Sequence, residues 1–176
     1  SQDCYEALGD LYLQQGAAHE SIEALNDALA LARSAEDVPG QARILNGIAL
    51  TSWIYDFYDE AHYAASEVLA LDGVPIIEQA TAQSHLGMVA WVQGRLNEAQ
   101  NWCEKSAELL DDRGDQIRLG GVYNRLGLAY LYKGNLKKAT VAFSKSLDTR
   151  RKSKDFWGQA YCLNNLGKVA IEAVSY

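Results

Sequence analysis

Residues 124–152 read NRLGLAYLYKGNLKKATVAFSKSLDTRRK, and this stretch decides the fold. Apolar residues fall at helical spacing on both sides of a break. Val122, Leu126, Ala129 and Tyr130 precede it; Ala139, Ala142, Phe143 and Leu147 follow it. The break is Gly134-Asn135, with glycine where a helix end needs a left-handed residue. The stretch therefore predicts a helix, a tight turn and a second helix.

Weaker copies of it fill the chain. The pair Leu-Gly recurs at Leu8-Gly9, Leu86-Gly87, Leu126-Gly127 and Leu166-Gly167, with Ile48-Ala49 as the divergent copy, in steps of 40, 38, 40 and 40 residues. Gly40-Gln41-Ala42 and Gly158-Gln159-Ala160 lie 118 residues apart, which fixes the same register independently. Gly16, Gly94 and Gly134 each stand seven residues after the Leu-Gly glycine, and Asp56 takes that place in the second unit. Small residues recur where paired helices cross: Gly9, Ala49, Gly87, Gly127 and Gly167 on the first helix, Ser21, Ala61, Ala99 and Ala139 on the second. A glycine inside a helix costs about 1 kcal/mol against alanine, so its repetition implies a close helix approach. Polar connectors separate the units at 34–40, 72–78, 111–116 and 152–158, with Pro39 and Pro75 in two of them. The spacing predicts nine helices over 2–15, 18–34, 41–55, 58–71, 77–93, 96–111, 116–133, 136–153 and 157–174, in repeats 1–40, 41–78, 79–118 and 119–158 with a half repeat at 159–176.

Composition sets outer bounds. A hydrophobic content of 48% with only 2 prolines is globular, and no window is apolar for long enough to cross a membrane. Cys4, Cys103 and Cys162 sit in apolar helical patterns without metal-ligand spacing, which suits buried thiols in a reducing cytoplasm. Beginning at Ser1 and ending inside a repeat, the sequence reads as part of a longer protein. Charge is divided: residues 1–112 carry −15 and residues 113–176 carry +8. Such a division suggests an interaction surface.

These residues resemble tetratricopeptide repeats, in a forty-residue variant like that of kinesin-light-chain-like scaffolds, peptide-pheromone receptors and ATPase-type transcription regulators. Leu126-Gly127, Tyr130, Gly134-Asn135-Leu136, Ala139, Phe143 and Ser146 stand at the family's positions in the fourth unit. Leu8-Gly9, Tyr12, Gly16, Ser21, Leu25 and Ala28 do so in the first, and Leu86-Gly87, Gly94, Leu96 and Ala99 in the third. The second unit departs, with Ser52 for the usual aromatic and Ala65 for the usual large residue. The resemblance implies an all-α, right-handed superhelical solenoid in which each unit buries its apolar face against the next.

It also implies that the first helices line a concave groove that binds an extended peptide or protein segment. By register that groove includes Arg43, Asn46, Leu50 and Trp53, then Ser84, Met88 and Trp91, then Asn124, Leu128, Leu131 and Tyr132, and finally Tyr161, Asn164 and Lys168. Asn46, Asn124 and Asn164 recur at one site, and an amide both donates and accepts, as an extended backbone requires. Trp53 and Trp91 would be apolar anchors; Trp102 and Trp157 are expected to be structural.

A basic run, Lys137, Lys138, Lys145, Arg150, Arg151, Lys152 and Lys154, forms a surface on the second helix of the fourth unit. It reads first as a solvated face. It also allows association with the acidic half of another copy, while the acidic chain and the lack of interleaved aromatics argue against nucleic acid. His19, His62 and His85 lie in separate units with no metal-ligand spacing, and there is no phosphate loop or nucleophile elbow, so neither enzyme activity nor a cofactor is expected. Arg113-Gly114-Asp115 spells an adhesion tripeptide but occupies a connector, where chance suffices. The rival to a peptide-binding scaffold is a ligand-sensing arm of a larger signalling or transcription-regulating ATPase, which would need an enclosed apolar pocket.

Overall fold

The computed structural model describes residues 2–111 and 114–174. Among the described residues there are nine α-helices and no strand: α1 (Gln2–Gln15), α2 (Ala18–Ser34), α3 (Val38–Ile54), α4 (Tyr58–Ala70), α5 (Ile76–Val92), α6 (Leu96–Asp111), α7 (Gln116–Tyr132), α8 (Leu136–Lys152) and α9 (Phe156–Val174). All begin and end within one residue of expectation except α3, which starts three residues early. Pro39, expected in a connector, lies in its first turn, where the missing N–H costs nothing, and Asp37 caps that turn by accepting from the Gly40 amide.

The chain divides into two compact units, Ser1–Val89 and Ala90–Tyr176. In the first, α1 packs on α2, α2 on α3 and α3 on α4; in the second, α6 packs on α7, α7 on α8, and α9 on α8 and α7.

Every turn between paired helices is closed by the same backbone bond. Ala17 donates to the Tyr12 carbonyl at 2.9 Å, Phe57 to Ser52 at 2.8 Å, Arg95 to Ala90 at 2.8 Å and Asn135 to Tyr130 at 2.9 Å. The residue before each donor is left-handed: Gly16, Asp56, Gly94 and Gly134 have φ of 78°, 65°, 74° and 73°. This six-to-one bond satisfies carbonyls that a helix end otherwise leaves open. The connectors after α2 and α8 use the same device, Asp37 donating to Ala32 and Asp155 to Arg150, both at 3.0 Å. Asp37 and Asp155 then turn their carboxylates to the Gly40 and Gly158 amides at the start of the next helix. A Cβ at either glycine would collide with the capping aspartate, so the Gly-Gln-Ala marker is a capping requirement.

Within a pair, a glycine on the first helix forms a notch for a large side chain of the second. A Cβ on Gly9 would stand 2.8 Å from Leu25 Cγ, and one on Gly127 only 2.5 Å from the Phe143 ring. Phe143 is fully buried in that notch. Buried hydroxyls tie the same pairs, Ser21 donating to the Gly9 carbonyl at 2.8 Å and Ser146 to that of Gly120 at 2.6 Å. The second pair trades volume differently. Ala49 replaces the notch glycine, Ala65 replaces the large residue, and both are wholly buried. Its α4 has 13 residues against 17 in α2 and α8, and this shortening accounts for the 38-residue step.

Burial raises the pKa of one thiol and one phenol. Burial pushes the Cys103 thiol from 9.0 up to about 12. Burial, aided by its 2.8 Å hydrogen bond to Glu104, pushes the Tyr130 hydroxyl from 10.0 up to about 12.

Gly127→Ala is expected to destabilise the protein by about 1–3 kcal/mol in urea unfolding, because Phe143 must give way. Gly47→Ala, whose Cβ would meet Leu25 at an ordinary 3.6 Å, is expected to stabilise it by up to about 1 kcal/mol. Because folding raises both pKa values, the stability tied to these groups is complete below the unfolded pKa and is lost as pH climbs towards the folded one. The melting temperature should therefore fall between pH 9.0 and about 12, and in Cys103→Ala the fall should begin nearer 10.0.

Candidate functional site

Three polar contacts link successive first helices. Arg43 on α3 makes a two-pronged ion pair with Glu6 on α1, at 2.8 and 2.9 Å. That hydrogen bond holds the Glu6 carboxyl below its ordinary range and raises the Arg43 guanidinium. Asn46 on α3 donates to the carbonyl and carboxylate of Glu78 on α5, at 3.1 and 2.8 Å. Asn124 on α7 accepts from Asn165 on α9 at 3.0 Å and from the Cys162 thiol at 3.9 Å. Two of the three recurring asparagines are thus engaged in helix-to-helix clasps; Asn164 is exposed. Glu6, Glu78 and Asn165 escaped sequence reasoning. The signal for the last was its 41-residue distance from Asn124, one more than the repeat.

The remaining groove positions divide by burial. Ser84 and Met88 are buried, at 3% and 5% exposure. Leu50, Trp53 and Leu128 are half-buried, and the buried Trp53 indole nitrogen has no hydrogen-bond partner among the described residues. Tyr132, Tyr161 and Lys168 are open to solvent.

Three positions converge. Leu131 and Tyr132, the last two residues of α7, and Lys168 of α9 line one cleft of ≈ 890 Å³, together with Leu136, Lys137 and Glu172. The end of α7 places Tyr132 at the rim, 62% exposed. Trp91 meets its ring edge-on, with centroids 5.6 Å apart and planes at 68°, an arrangement that limits the freedom of the phenol. The cleft therefore brings together an aromatic, two leucines, two lysines and one glutamate.

The basic run is less uniform than its sequence. Lys137, Lys138, Lys145, Arg151 and Lys152 are exposed. Arg150 departs from the set: its side chain is 15% exposed, paired with Asp155, and lies over Gly120, where a Cβ would approach it to 2.8 Å. Aromatics, unexpected here, do interleave with the lysines. Lys138 sits 5.4 Å from the Tyr130 ring and Lys145 5.3 Å from that of Tyr123. Trp157 reverses its structural assignment: in the first turn of α9 it is 83% exposed. Trp102 is half-buried, its indole N–H donating to Glu98 at 3.3 Å and its ring under Lys105.

His19 stacks on Phe57, His85 is buried and His62 is half-buried. Among the described residues no group of three His, Cys, Asp or Glu side chains is placed to hold a metal ion, and no helix is long and apolar enough to cross a membrane. In the tripeptide, Arg113 lies outside the described residues, Gly114 is left-handed at φ 74° and Asp115 caps α7.

Two family models described as tetratricopeptide repeat match the chain, over residues 78–152 and 2–34. No curated protein matches it with significance. Among solved structures, a Podospora anserina chain named for kinesin light chain, with nearly identical repeats of this type, is 15% identical over 98% of this chain and 86% of its own, with a TM-score of 0.77. The apo form of RapI is 16% identical over 99% of this chain, with a TM-score of 0.84. The apo form of NprR, a quorum sensor from B. thuringiensis, is 17% identical over 100% of this chain, with a TM-score of 0.80. The chain spans 65% of RapI and 49% of NprR. The fold they share is the all-α helical-repeat solenoid.

Proposed function

The chain belongs to the tetratricopeptide repeat family, and from that premise we propose that it is a binding module for a peptide or an extended protein segment. The observation that carries this reading is the ≈ 890 Å³ cleft at the ends of α7 and α9. It is the size of a binding pocket and pairs apolar walls with a few polar groups. Tyr132 and Leu131 suit an aromatic or long aliphatic side chain. Lys137 and Lys168 suit a carboxylate, with Glu172 excluding a uniformly acidic ligand. The clasps at Arg43, Asn46 and Asn124 hold the first helices in place, and Asn164 is the amide left to face an incoming backbone. Similarity to a quorum sensor, NprR, is compatible with a small peptide as the occupant.

A second reading, a small-ligand sensing arm, has one observation in its favour. An open cleft of ≈ 580 Å³ lies among Leu29, Leu45, Ile48 and Ser52, with Arg33, Asp59, Glu60 and Glu67 also in its lining. It lies where Ser52 stands in place of an aromatic, and the buried Ser52 hydroxyl has no hydrogen-bond partner among the described residues.

Panning a phage-displayed peptide library on the protein should enrich sequences that join an aromatic or aliphatic residue to Asp or Glu. Tyr132→Ala should weaken the winners by about ten-fold or more. Lys168→Glu should weaken them and flatten their salt dependence. Undiminished affinity in Tyr132→Ala would remove the cleft from the site. Under the second reading, thermal-shift hits among small aromatic compounds should disappear in Ala64→Leu while peptide binding persists.

A further inference from the structure

Two clefts in this chain are built from the same positions with the charge reversed. One is the ≈ 580 Å³ cleft along α4 in the first compact unit; the other, of ≈ 350 Å³, runs along α8 in the second. Every residue lining the smaller cleft has a counterpart 78 residues earlier in the lining of the larger. That distance is the 38-residue step plus the 40-residue step, so the two clefts are one site in the second and fourth repeats. The apolar floor is kept, Ile48 answering to Leu126 and Ala64 to Ala142.

The sign of the charge is not kept. Asp59, Glu60 and Glu67 on α4 answer to Lys137, Lys138 and Lys145 on α8. In the third repeat the same positions hold Asn97, Glu98 and Lys105, whose charges cancel. Keeping a helix face in water needs charge of either sign, and mixed signs serve with less self-repulsion. Single-sign faces of opposite sign at equivalent positions ask for another explanation.

The faces also match in shape and spacing. Each carries an exposed apolar side chain among its charges, Tyr63 at 71% exposure on α4 and Val141 at 58% on α8, and these two are again counterparts. Glu60 and Glu67 stand two helical turns apart, about 10 Å, and so do Lys138 and Lys145. Lys138 and Lys145 lie over the rings of Tyr130 and Tyr123, and among the described residues none of the three lysines pairs with a carboxylate. Asp59 and Glu60 are likewise without an ion-pair partner there, while Glu67 pairs with Arg33. An apolar centre within a charged rim is the anatomy of a protein interface.

We propose that copies of this chain associate through these faces, α4 of one copy lying on α8 of another, with Tyr63 against Val141 and the carboxylates against the lysines. A second copy is the occupant that the charges specify, because it presents the opposite sign at each of the three positions and at the same spacing. The contact is heterologous, so each pairing leaves one α4 face and one α8 face to be matched. Association then runs from copy to copy unless it closes into a ring. Lys137 also borders the cleft at the end of α7, so the charge variants below leave it native and peptide binding stays a separate readout.

Sedimentation across micromolar to sub-millimolar protein should show association at low salt that recedes as salt shortens the screening length. Lys138→Glu with Lys145→Glu, and separately Asp59→Lys with Glu60→Lys, should each weaken self-association at least about ten-fold by setting like charges together. An equimolar mixture of these two variants should associate again, because the first keeps the native α4 face and the second the native α8 face. Tyr63→Ala, which alters no charge, should weaken association as well. Circular dichroism and melting should show each variant folded; if new lysines at the start of α4 unfold it, Tyr63→Ala and the α8 variant decide alone. A wild-type monomer at low salt, association indifferent to salt, folded variants that associate like wild type, or folded charge variants whose mixture stays monomeric would each overturn the proposal.

Discussion

A side chain of the second helix must fit against the backbone of the first, and the rest of each repeat depends on that fit. Phe143 can reach Gly127 only because there is no Cβ, and Leu25 meets Gly9 in the same way. Close approach brings the Ser21 and Ser146 hydroxyls within reach of backbone carbonyls on the facing helix, which α-helices rarely offer to a neighbour. A buried hydroxyl without such a partner would cost about 1–3 kcal/mol, so the polar bonds follow from the packing and also reward it. The second pair meets the constraint differently, with two wholly buried alanines, Ala49 and Ala65, in place of a glycine and a large residue.

Above that packed layer the first helices carry a polar one. Arg43 with Glu6, Asn46 with Glu78 and Asn124 with Asn165 join helices of neighbouring repeats. These contacts fix the spacing of a surface whose open members are then few and well placed. Tyr132 meets Trp91 edge-on, a contact that an isolated surface tyrosine lacks. Pre-set geometry of this kind lowers the ordering cost of binding.

The period, the helices and the turns were legible because they rest on local rules: 3.6-residue spacing, left-handed glycines and small residues in register. Pro39 misled by one turn, since a proline serves equally in a connector or at a helix start, and only the Asp37 cap decides. The site was less legible. Register places Asn46 and Asn124 on the inward face of their helices, yet it is silent on whether a neighbour already holds the amide. Arg150 belongs to a run of cations in one dimension and to a glycine-lined slot in three. Glu6 and Glu78 are remote in sequence from what they bind, and no spacing rule singles them out.

The turn between paired helices is written in backbone atoms alone. The carbonyl that closes it belongs to Tyr12, Ser52, Ala90 and Tyr130 in turn, and the bond length hardly changes. Side-chain identity at that position is therefore relieved of any duty to the turn. Tyr130 uses the latitude to reach Glu104, and Ser52 uses it to leave a hollow. An array built this way can diversify one repeat at a time, changing what a given module recognises without renegotiating the scaffold that carries it.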